Sequence, residues 1–148
     1  MDFPTDYKRI IFGGLLEQGF AFRLKGDSPF VSDKYHIFVV LNYNPKTGTV
    51  LLLVNGTSQV EKCERILKRF GINVEETTVK MQPGDYSFIT KETLFDCNTV
   101  HEVNIGQISF LNDNVKFLSE KLSDEDIKRL VDATKASPRV KKIYKDML

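Results

Sequence analysis

The chain has 148 residues, 41% of them hydrophobic and 28% charged, which suits one soluble globular domain with a sizeable core. Its 21 basic and 20 acidic side chains nearly cancel, so overall charge selects no partner and any polyanion site has to come from local clustering. No apolar run reaches the roughly 18 residues that span a bilayer, no signal-like block opens the chain, and the two cysteines, Cys63 and Cys97, lack metal-ligand spacing. These features lead us to expect a soluble, cytoplasmic protein with reduced thiols, no metal and no membrane partner.

From the N-terminus, Asp6 to Glu17 reads as a short helix capped by Thr5 or Asp6, a helix of residues 5–17 that Gly13 and Gly14 weaken. Gly19 to Lys25 alternates Phe20, Phe22 and Leu24 on one face, the pattern of a half-buried strand. Gly26 to Tyr35 carries the turn residues of a loop. Ile37 to Leu41 and Val50 to Val54 are apolar runs joined by Asn44-Pro45-Lys46-Thr47-Gly48. They form a hairpin, and their unbroken apolarity predicts that both faces are covered.

Ser58 to Phe70 places Val60, Cys63, Ile66, Leu67 and Phe70 on one helical stripe. Ser58 and Glu61 have capping-box spacing, and Gly71 supplies the stop. Glu76 to Met81 and Thr93 to Cys97 read as further strands separated by the Pro83-Gly84 turn. Val103 to Leu111 reads as a short helix or turn. Ser123 caps a helix with acids in its first turn, and a basic helix follows Pro138, giving C-terminal helices over residues 123–148. A run of about five short strands with an inserted helix indicates an α+β domain, residues 1–148, built on a small, strongly curved antiparallel barrel.

Three segments in order, VNGTSQVEK, TLFDCNTVHEVNIGQI and EKLSDEDIKRLVDATKAS, resemble the PemK/MazF-like toxins over roughly residues 19 to 136. The resemblance implies an SH3-like β-barrel and a metal-independent, cofactor-free endoribonuclease of a toxin–antitoxin system. Such a protein cuts single-stranded RNA through its own 2′-hydroxyl, works as a homodimer, and has an antitoxin protein or peptide as partner. In that family an arginine between the first two strands and a Thr or Ser after the third assist the attack. Thr57 and Ser58 match the hydroxyl position, but Tyr35-His36 stands where Arg-Pro is expected. The expected catalytic set is therefore Thr57, Ser58, His36 and Arg23, with Lys25, Lys34, Lys62, Arg65 and Arg69 holding RNA phosphates. Other readings stay open: a helix cap for Thr57 or Ser58, solvated faces for the cations, a turn-forming Asp96, and a silent barrel that only binds RNA or a peptide.

Overall fold

The computed structural model describes residues 14, 16–26, 29–47, 50–104, 114–118 and 120–148. Strands β1 (Ala21–Gly26), β2 (Ser32–Val40) and β3 (Val50–Thr57) come first, with a 3-10 turn at Pro45–Thr47 between the last two. Helices α1 (Val60–Arg69) and α2 (Val74–Thr77) follow. Next come β4 (Thr78–Met81), β5 (Thr93–Asp96), β6 (His101–Asn104) and β7 (Val115–Phe117), then α3 (Asp124–Ala136) and α4 (Lys142–Lys145). The strands run in the order β4-β5-β3-β2-β1-β7, and every pair is antiparallel. Among the described residues no helix is long and apolar enough to cross a membrane.

The sheet forks at β3. Along the edge away from β2, Val50 to Leu53 pair with β6, while Gly56 and Thr57 pair with β5. Two partners on one edge require the sheet to splay where β3 runs from one to the other. Among the described residues nothing pairs β4 with β7, so the sheet is α+β and antiparallel as expected but open rather than closed.

Both faces are buried, as the apolar runs of β2 and β3 predict. Ala21, Val39, Leu52, Val54, Met81 and Phe95 pack on one face against Tyr86, Phe88 and Ile89 and against Leu130 and Ala133 of α3. Phe22, Leu24, Phe38, Val40, Leu51, Leu53, Val103 and Val115 form the other core with Leu16 and Phe20. Full burial contributes about 1.5–3 kcal/mol for each large apolar side chain. Exposed ion pairs such as Lys128–Asp132 contribute at most about 1 kcal/mol, so these two cores hold the fold.

Several boundaries differ from the sequence reading. The helix expected over residues 5–17 lies almost wholly outside the described residues, and its last two, Leu16 and Glu17, are not helical. Glu76 and Thr77, expected in a strand, close α2, because Asn73 Oδ1 accepts from Glu76 N at 3.2 Å and starts a helical turn there. Val103 and Asn104 lie in β6, paired to β3, and the rest of the helix or turn expected there, to Leu111, lies outside the described residues. Beyond Pro138 only Lys142–Lys145 is helical. Ser123 does cap α3, its Oγ accepting from Asp126 N at 3.2 Å, and Gly71 ends α1 with φ +74°.

Candidate functional site

A transverse row of the sheet sets the site. Register places Arg23 of β1 opposite Ile37 of β2, Ile37 opposite Gly56 of β3, and Gly56 opposite Phe95 of β5. The row lies on the α3 face, beside Phe88 of the 86–89 turn. A cleft of about 500 Å³ opens there. Gly56 forms part of its floor. A Cβ at Gly56 would stand 2.7 Å from Thr93 Cγ2 and 2.9 Å from Phe95 Cζ, so β5 approaches β3 this closely only because the side chain is absent.

Among the described residues the cleft is lined by three cations, Arg23, Lys34 and Lys91, and by Thr57, Ser58, Gln59, Thr90 and Thr93, and no carboxylate is among them. Arg23 is half-buried, and its guanidinium reaches only a long 3.5 Å contact from Nη2 to Phe88 O. The four ion pairs among the described residues all lie elsewhere. The site thus concentrates positive charge in a chain whose total is nearly balanced.

The hydroxyl pair divides. Strand alternation with Gly56 on the cleft side turns Thr57 toward α1, where it also borders a smaller groove of about 210 Å³ with Cys63, Ile66 and Asp96. Thr57 Oγ1 accepts from Gln59 N at 3.1 Å and shapes the turn into α1. The expected capping box is not formed. α1 begins at Val60, and its N-cap, Gln59, makes no side-chain capping bond. Ser58 falls one residue too early to cap; its exposed hydroxyl has no protein partner among the described residues and stands at the cleft.

His36 lines the cleft, but its ring points to the other face. It is paired with Leu24, a member of the second core, and its Nε2 lies 2.9 Å from Ser32 Oγ while its ring meets Phe30 edge-on at 5.0 Å. Burial lowers its pKa below the ordinary 6.5, and Lys34 adds to the effect. Taking over a missing arginine's work in the cleft is therefore not what this ring is placed to do. His101 belongs to the same second face. Its Nε2 is 3.1 Å from Asn55 Oδ1, its ring is 5.4 Å from Phe30, and burial lowers its pKa despite the opposing charge of Asp96.

The expected phosphate contacts are spread more widely. Lys34 is in the cleft, and Lys25 sits beside it, its Nζ 4.8 Å from the ring of Tyr35, another lining residue. Lys62 and Arg65 line an adjoining hollow of about 500 Å³ that shares Ser58, Gln59 and Lys91 with the cleft but also contains Glu61 and Glu92. Arg69 lines neither. The α1 stripe is only half-covered: Val60 and Leu67 are buried, whereas Ile66 and Phe70 are 43% and 62% exposed.

Asp96 takes its turn-forming reading. Its Oδ1 accepts from Asn98 N at 3.0 Å and from Asn98 Nδ2 at 2.9 Å, and Ser137 Oγ donates to Asn98 Oδ1 at 2.6 Å, tying the end of α3 to the sheet. Neither cysteine offers a thiolate at neutral pH. Burial first, then nearby carboxylates, push Cys63 up to about 11; burial pushes Cys97 up to about 12. Sequence reasoning missed Lys91 and Thr90. They reach the cleft through the fold-back between β4 and β5, and no periodicity or motif in their own segment marks that return. Comparison of the sequence with protein-family models and with curated proteins finds no match.

Proposed function

We propose that the cleft binds single-stranded RNA and that the protein is a metal-independent endoribonuclease of the toxin–antitoxin type, on a forked sheet related to an SH3-like barrel. The observation that carries this reading is the gathering of Arg23, Lys34 and Lys91 around a set of hydroxyls, with no carboxylate among the described lining residues. A phosphodiester satisfies such a site, because its oxygens accept charge-assisted hydrogen bonds and its negative charge offsets the clustered cations. In the reaction the ribose 2′-hydroxyl gives its proton to water, its oxygen bonds to phosphorus, and the bond to the 5′-oxygen breaks as that oxygen takes a proton from water, leaving a 2′,3′-cyclic phosphate and a 5′-hydroxyl. Extra negative charge develops on the phosphorane, and in this reading Arg23, Lys34 and Lys91 stabilise it. Ser58 donates to a non-bridging oxygen, and Thr57 holds the turn that aims it. A homodimer and an antitoxin segment that competes for the cleft complete the proposal.

One observation favours a second reading, a catalytically silent module that binds RNA or a peptide without turnover. With the His36 ring on the far face, the cleft has no imidazole to move a proton at neutral pH. Incubating purified protein with mixed-sequence RNA in EDTA decides between the two. The enzyme reading expects 2′,3′-cyclic phosphate ends, reduced at least tenfold in Ser58→Ala and in Arg23→Gln. Binding without cyclic ends moves the protein to the second reading, and absence of both binding and cleavage rejects the two together.

A further inference from the structure

Register puts Arg23 of β1 directly opposite Lys116 of β7, with Lys25 two residues along on the same face. Like charges opposite each other across a sheet are destabilising. None of Arg23, Lys25, Lys34 or Lys116 has a carboxylate partner among the described residues; the ion pairs there are Lys80–Glu64, Lys121–Glu17, Lys128–Asp132 and Arg129–Asp126. Arg23 and Lys25 are half-buried, so their desolvation is uncompensated by any anion among the described residues. Tyr35 gathers two of these cations: Lys25 Nζ lies 4.8 Å and Lys116 Nζ 4.5 Å from its ring centroid. Tyr35 and Arg23 both line the cleft, so the cation row is continuous with it.

We propose that Lys116, Lys25 and Tyr35 form a further phosphate subsite, which carries the backbone of a single-stranded polynucleotide out of the cleft across β1 to β7. The proposal rests on the RNA reading of the cleft and adds its direction and a minimum length of ligand. From β2 to β7 the row covers two strand spacings, about 10 Å. That is wider than one phosphate group, so a chain of phosphates fits it better than a free anion does. Tyr35 holds the two ammonium groups apart and aimed at the strand, a positioning role.

Fluorescence-anisotropy titration tests this with labelled 2′-O-methyl RNA, which cannot be cleaved, as a dinucleotide and as a decanucleotide over a series of salt concentrations. Lys116→Ala is expected to weaken the decanucleotide several-fold and leave the dinucleotide unchanged. Its slope of log K against log salt should flatten by about 0.7, the loss of one single-strand phosphate contact. Lys116→Glu should weaken the decanucleotide further while raising the thermal midpoint of the free protein, because it replaces a like charge opposite Arg23 with a complementary one. An unchanged slope in Lys116→Ala, or equal losses for both lengths, overturns the subsite while leaving the cleft reading intact. Equal displacement of both RNAs by inorganic phosphate in the wild type, with no length preference, shows a free-anion site and also overturns it. A wild-type protein that binds neither RNA rejects the cleft reading and the subsite together.

Discussion

At Gly56 one missing side chain decides how closely β5 meets β3. A methyl group there would stand 2.7 Å from Thr93 Cγ2 and 2.9 Å from an atom of the Phe95 ring, which is fully buried. With Phe95 fully buried, Gly56→Ala should overpack the cleft floor and cost about 1–3 kcal/mol in urea unfolding. The two hydroxyls beside it make a contrasting pair. Thr57→Ala removes the acceptor for Gln59 N and should cost about 0.5–1.5 kcal/mol. Ser58→Ala removes no bond to a described residue and should leave stability within about 0.5 kcal/mol. A loss of RNA cleavage in Ser58→Ala at unchanged stability would assign that hydroxyl to substrate, and a stability loss equal to that of Thr57→Ala would show it to be structural.

The elements that frame the cleft are fastened from a distance. Tyr86 opens the turn that carries Phe88 to the cleft, and its hydroxyl is fixed by the start of α3: it donates to Asp126 Oδ2 at 2.6 Å and accepts from Ser123 N at 2.9 Å. Tyr86→Phe strands both partners and should cost about 1–3 kcal/mol, measurable as a lowered urea midpoint. It should also speed hydrogen exchange over residues 86–91, and a midpoint and exchange rates like those of the wild type would show that packing alone holds the turn. Elements of this kind were only partly legible in the sequence. The alternation of Phe20, Phe22 and Leu24, the hairpin and the Ser123 cap are local signals, and the structure forms each of them. The Ser58-Glu61 spacing is local too, yet β3 continues through Thr57 and the chain needs Ser58 and Gln59 to turn into α1, so the helix starts too late for the box. The β7 strand and the approach of Lys91 depend on contacts between distant segments, for which three or four residues of local sequence carry no mark. For the same reason Arg23, Lys34, Thr57 and Ser58 were legible as residue types near strand ends, whereas the direction of the His36 ring depended on a register set by Leu24.

Across the whole molecule the two sheet faces divide the work. The α3 face carries Arg23 with Lys116 opposite it, while the other face holds both histidines of the chain around Phe30, with ring centroids at 5.0 and 5.4 Å. Burial lowers both imidazole pKa values below 6.5, with Lys34 adding to the shift at His36 and Asp96 opposing it at His101. The direction fixes the sign of the pH dependence. From about pH 7.5 upward both rings are largely neutral in the folded and unfolded chain, and the second core keeps its full stability. As pH falls below that value the unfolded chain takes up protons that the folded chain refuses, so stability declines until the pH passes the folded pKa values. The carboxylates that hydrogen bonds hold down act in a lower window. Glu120 lies below 4.5 through its bonds from Ser87, and Asp126 lies below 3.8 because bonds from Tyr86 and Arg129 outweigh the upward push of burial. Urea midpoints are therefore expected to fall between about pH 7.5 and pH 5.5 in the wild type, and to fall less in His36→Gln/His101→Gln. RNA affinity per folded molecule should not follow that decline, because the imidazoles lie on the face away from the cleft. A pH profile of binding that tracks imidazole protonation and disappears in His36→Gln would instead place the His36 ring in the site.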